Sequence, residues 1–129
     1  MHLIALRPEY QLTVDDVHNR IFYQNFGPMR GAVSLPHYLT DWAAALAEVR
    51  PGFCILSDMQ VVNQGNPALL ATFQAVERLI VAREVRMVAE IHVPGWPTRR
   101  HCDAVTTSQA MPVRQFLSLW EADQFLDDF

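Results

Sequence analysis

The sequence predicts an α/β fold: one mixed, mostly parallel five-stranded sheet with about four helices packed on it, in the order ββαβαβαβα. Three observations predict it. Residues 9–15 and 20–26 are strand-like segments separated by turn residues, and together they read as an antiparallel hairpin. Apolar stripes of helical period then alternate with short strand-like runs, and strand–helix–strand units favour parallel strands joined by right-handed crossovers. The run FCIL is apolar at successive positions, which suits a central strand covered on both faces.

Each element has its own signal. In EYQLTVD, Tyr10, Leu12 and Val14 face one way and Glu9, Gln11 and Thr13 the other. After DDVHN, the segment RIFYQNF resumes with aromatic and β-branched side chains, and GPMRG at 27–31 breaks it. Ser34 is a helix N-cap with Pro36 in the first turn, and Leu35, Leu39, Trp42, Leu46 and Val49 form an apolar face. Pro51–Gly52 ends that helix. FCILSDM, residues 53–59, is the central strand. Asn66 caps a helix with Pro67 at its first position, and Leu69, Phe73, Val76 and Ile80 make its buried stripe. Residues 83–93 alternate again, and PGWP at 94–97 stops them. A helix from about Thr98 to Ala110, a strand at 111–117 and a final helix follow. Ser118 and Glu121 form a capping box, and the last helix buries Ala122, Phe125 or Leu126, and Phe129.

The 129 residues suit a single domain, 1–129, large enough to bury a core without disulfides or metal. No apolar run approaches the roughly 20 residues of a membrane span. The opening MHLIALRPEYQL makes a poor signal peptide, so a cytoplasmic location is expected. Net charge is −4, and all ten basic residues are Arg. That excludes a Lys nucleophile or a P-loop Lys and argues against a nucleic-acid partner. Five of the ten Arg fall between Arg78 and Arg100, where alternation would scatter them over different faces. Two cysteines without CxxC spacing carry no zinc signature, and Cys54 in its apolar run reads as a buried free thiol.

The order of elements, with PGFCILSDM, the helix after NPALL, the strand VRMVAEIHV and the end FLSLWEADQFL, resembles the STAS domain. This is the fold of the anti-sigma-factor antagonists, and the SpoIIAA-like group is the most similar. The resemblance spans about residues 9 to 129. It implies a protein-interaction or regulatory role of the kind used in bacterial signalling. In phospho-switch members, the loop after the central strand carries a phosphorylated Ser at the helix start. Counting from Asp58, the matching positions are Asn66, Pro67 and Ala68, and none bears a hydroxyl. The resemblance therefore implies a kept fold and a lost phospho-switch.

Candidate binding residues gather where ligands of open α/β sheets sit, beyond the carboxyl ends of strands. Asp58, Asn63 and Asn66 line the polar loop after the central strand. Trp96, Arg99 and Arg100 follow the next strand, at a helix start that favours an anion, with Trp96 able to stack on a ring. His101-Cys102-Asp103 is a weaker cluster, because adjacent helical residues point about 100° apart. No GxSxG, Walker loop or HExxH is present. The expectation is a non-enzymatic domain with no cofactor, no metal site and no catalytic residue. It binds a protein partner or itself, as a homodimer. Aromatic residues in excess of a minimal core support such an interface. The alternative is a carrier of a small apolar or lipid-like ligand.

Overall fold

The first strand is one that the sequence pattern does not announce. The computed structural model describes residues 1–26, 35–59, 70–92 and 112–129, and in it β1 (His2–Leu6) pairs antiparallel with β2 (Tyr10–Asp15). A bulge between Leu3 and Ala5 interrupts the register. It removes the period of two that marks a half-buried strand. This strand raises the sheet from the expected five strands to six.

β2 turns into β3 (Arg20–Asn25) as expected, with Tyr10 opposite Asn25 and Asp15 opposite Arg20. The Asp15 carboxylate accepts the backbone N–H groups of Val17 at 3.1 Å and His18 at 3.2 Å, closing the turn. Asn19 closes it in the left-handed region at φ 54°. Its amide donates to Arg50 O at 3.1 Å, and its carbonyl oxygen accepts from Arg50 N at 2.9 Å. The hairpin turn is thereby stitched to the segment before the central strand.

α1 (Tyr38–Leu46) starts later than expected, with His37 at the cap position and no side-chain cap. Ser34, the expected cap, lies outside the described residues. The buried face is also rotated. Tyr38, Asp41, Trp42, Ala45 and Leu46 point inward, while Leu39 is 43% exposed. A carboxylate occupies the inward position because it has buried partners, described below. Gly52 then turns the chain at φ +86°, a conformation that favours glycine.

β4 (Cys54–Met59), α2 (Leu70–Ala82) and β5 (Met87–His92) form the parallel centre. Phe73, Val76 and Ile80 are buried on α2 as the spacing predicts. The expected Asn66 cap, Pro67 and Leu69 lie outside the described residues. β5 begins later than residue 83, because Arg83 and Glu84 close the turn after α2, with Glu84 at φ 65°. The expected helix at 98–110 also lies outside the described residues. β6 (Val113–Phe116) and α3 (Leu119–Asp128) complete the chain, so three helices are described. Ser118 Oγ accepts Glu121 N–H at 3.1 Å, one half of the predicted capping box. Phe129 is 40% exposed rather than buried, and its ring packs at a tilt against Phe125 with centroids 5.4 Å apart.

The sheet order is β1-β2-β3-β4-β5-β6, antiparallel through β3 and parallel from β3 to β6. α1 and α2 pack over one face, which carries Tyr10, Leu12, Val14, Ile21, Tyr23, Ile55 and Val88. α3 packs over the other, against β4, β5 and β6, where Leu56, Ala89 and Ile91 meet Ala122 and Leu126. Fully buried Leu12, Ile21 and Ile55 each contribute about 1.5–3 kcal/mol through removal from water. No described helix is long and apolar enough to cross a membrane.

Candidate functional site

The four parallel strands end along one edge, and register decides which side chains meet there. Ser57 lies opposite Tyr23 on β3 and Glu90 on β5, and Glu90 lies opposite Gln115 on β6. This polar row runs across the face that α1 and α2 cover. Ser57 and Glu90 are buried, and Glu77 is buried within the apolar stripe of α2. One position further along β4, Asp58 lies opposite Gln24 and Ile91 and points to the other face, half-buried. Adjacent strand residues alternate between faces, so Ser57 and Asp58 belong to different sides of the sheet.

Of the residues expected to bind, Asp58 is described, at the carboxyl end of the central strand as predicted. Asn63, Asn66, Trp96, Arg99 and Arg100 lie outside the described residues, as do His101, Cys102 and Asp103. Ser57, Glu77 and Glu90 were not singled out by the sequence reading. The signal for Glu90 is a carboxylate between Ala89 and Ile91 in a strand buried on both faces, where an acidic residue is rarely found without a partner. Among the described residues, no group of three or more His, Cys, Asp or Glu is placed to hold a metal ion.

A second polar centre lies under α1. Arg7 grips Asp41 with two hydrogen bonds, Nε to Oδ2 and Nη2 to Oδ1, each 3.0 Å. Tyr10 donates its hydroxyl to Asp41 Oδ2 at 2.6 Å. Burial raises the Asp41 carboxyl, but the hydrogen bonds from Arg7 and Tyr10 outweigh it, and the group lies below its ordinary value. Burial and then the Asp41 carboxylate push the Tyr10 phenol far up, while burial lifts Tyr38 to about 12. Around this centre Tyr10, Tyr23, Tyr38, Trp42 and Phe73 pack ring against ring, with Tyr10 and Tyr38 edge to face at 5.2 Å and Tyr38 and Phe73 at 5.5 Å. High phenol values keep these tyrosines neutral, which suits a packed polar core better than proton transfer at neutral pH.

On the other face, Cys54 is a free thiol, half-buried rather than fully buried, between Arg20 and Met87 in register. Burial raises its thiol, with the Arg20 and Arg86 charges opposing. A raised thiol is a weak nucleophile. The described arginines of the 78–100 stretch are scattered as expected. Arg83 donates to Leu46 O at 2.8 Å at the end of α1 and to Val49 O at 3.2 Å beyond it, Arg86 donates to Phe129 O at 2.7 Å after α3, and Arg78 is exposed on α2.

Three exposed large apolar side chains lie close together in the chain where β6 meets α3. Trp120 is 71% exposed, with Leu117 at 63% and Leu119 at 43% beside it in the chain. Comparison with family models, with curated protein sequences and with solved structures returns no match.

Proposed function

We propose that this chain is a non-enzymatic, STAS-like interaction domain that binds a protein partner or a second copy of itself. The observation that carries the reading is the exposed Trp120 beside Leu117 and Leu119. Contiguous exposed apolar surface marks interaction sites, and Trp is the residue most enriched among binding hot spots. The strand order, three antiparallel strands leading into parallel ones, with α1 between β3 and β4 and α2 between β4 and β5, supports the STAS resemblance. On that reading the loop positions Asn66, Pro67 and Ala68 leave the domain without a phospho-acceptor at the usual place, so binding is set by the surface alone. The aromatic packing around Tyr38 fills the space beneath α1, which favours an interaction module over a ligand carrier.

Native mass spectrometry of the protein taken from cells tests this. A dimer or a protein complex that dissociates on Trp120→Ser supports it. A monomer carrying a reproducible small added mass overturns it in favour of the carrier. Charge then separates the two partners. α3 bears Glu121, Asp123, Asp127 and Asp128 and no basic residue. A two-fold contact between copies of this surface would bring like charges together and strengthen with salt, whereas a basic partner would weaken with it.

A further inference from the structure

We infer that α3 is a releasable cover on the sheet, clamped by arginines, and that its release bares a second apolar surface. The two faces of the sheet are closed in different ways. Under α1 and α2 the described core includes five packed aromatic rings, the whole apolar side of β2 and the stripe of α2. Under α3 the buried residues among those described are Leu56, Ala89, Ile91, Ala122 and Leu126, with Phe22, Cys54, Met87, Phe116 and Phe125 partly buried around them. Only Ala122 and Leu126 of the helix itself are buried.

Charged side chains add to this hold, beside the packing of Phe125 on Phe116. Arg20, on β3, has a side chain 11% exposed, and it donates from Nη1 to Asp123 at 2.9 Å and from Nη2 to Asp127 at 3.0 Å. Its buried Nε finds no hydrogen-bond acceptor among the described residues. Arg86 sits 4.5 Å above the Phe129 ring and Arg114 5.2 Å from the Phe125 ring. The last turn of α3 is also electrostatically unfavourable by itself. Asp127 and Asp128 occupy its last turn, where the helix dipole is negative and cations are preferred. Docking on Arg20 offsets that repulsion, so the helix is stable chiefly while docked. Elements with little apolar burial and exposed polar ties open locally at lower free energy than the core. On opening, Phe22, Leu56, Ala89 and Ile91 lose their cover, and so does Cys54. This inference stands independently of the Trp120 reading, because amide exchange and Cys54 alkylation report on the opening of α3 whether or not Trp120 binds a partner.

The test is hydrogen exchange on the purified full chain carrying Cys102→Ser, at about 0.02 M and about 0.5 M salt, across which exposed charge pairs are progressively screened. The α3 amides are expected to exchange at least tenfold faster than those of α2 and β4. Raising salt speeds α3 a further several-fold and leaves α2 and β4 unchanged. Arg20→Gln does the same, and so does the Asp123→Asn, Asp127→Asn pair, which leaves the sheet untouched. Cys54 alkylation rises in step with α3 exchange. If α3 exchanges only together with β4, with one shared salt dependence, the helix is an integral part of the fold and the inference fails. If α3 opens while Cys54 reactivity stays fixed, α3 does not cover the face, and that overturns it as well.

Discussion

Tyr10 and Asp41 meet at 2.6 Å, a hydroxyl on the sheet donating to a carboxylate on the helix above it, 31 residues apart in the chain. With Arg7 on the same carboxylate, the contact fixes how α1 rotates on the sheet. It explains why an acidic side chain takes an inward position while Leu39 faces water.

Asp41→Asn is therefore expected to cost roughly 1–3 kcal/mol, the scale for losing hydrogen bonds to a charged group, because Asp41 is buried but its Arg7 partner is partly exposed. The pH dependence has a definite sign. The folded carboxyl lies below its ordinary value of 3.8, so its stabilisation is complete above that value and is lost as pH falls through the folded pKa. Urea melts between neutral and acid pH should show the wild type losing its advantage over Asp41→Asn below about pH 4. An unchanged difference across that range would mean that the Arg7–Asp41 pair contributes nothing through charge.

Asn19 joins two constraints in one residue. It holds a left-handed conformation and makes both hydrogen bonds to Arg50. Asn19→Gly keeps the conformation and loses the bonds, for about 1–2 kcal/mol. Asn19→Ala loses both, adding roughly 1 kcal/mol for a Cβ in the left-handed region. Chemical denaturation should rank Ala below Gly, and the reverse order would show that the left-handed conformation at Asn19 is not a constraint on this turn.

The contrast between these residues and the rest shows what was legible in the sequence. The hairpin, the central strand, the stripe of α2 and the Ser118 cap were readable because each depends on neighbours within a few positions. β1 was not, because its bulge breaks the period of two. The rotation of α1 was not, because it depends on Arg7, 34 residues away from Asp41. The hold on α3 depends on Arg20, 103 residues from Asp123, with no local signature at all. Asp58 was legible as a strand-end polar residue after FCIL. Ser57 and Glu90 were missed because a polar residue in an apolar run shows its place only when register sets it beside another.

Gly52 offers a test of conformation separated from packing. Its φ is +86°, its N–H donates to Glu84 O at 2.8 Å, and a Cβ there would meet nothing within 4 Å. Gly52→Ala should cost about 1–2 kcal/mol through backbone strain alone. Gly52→Asn should cost less, since Asn tolerates the left-handed region better than other residues. Thermal melts on the two variants distinguish them. Equal losses would place the constraint in something other than φ.

Trp42 and Trp120 give the sharpest separation between folding and binding. Trp42 is 3% exposed within the aromatic cluster, and Trp42→Ala should cost about 3–5 kcal/mol by opening a cavity there. Trp120 is 71% exposed, so Trp120→Ser should change stability by no more than about 0.5 kcal/mol. The two variants should then diverge in association. Trp120→Ser should remain folded by circular dichroism and lose its partner or its dimer in native mass spectrometry. Trp42→Ala should lose both together, in proportion to the unfolded fraction. If Trp120→Ser were instead strongly destabilising, the indole would be part of the core of an assembly that forms during folding, and binding and stability would be one equilibrium.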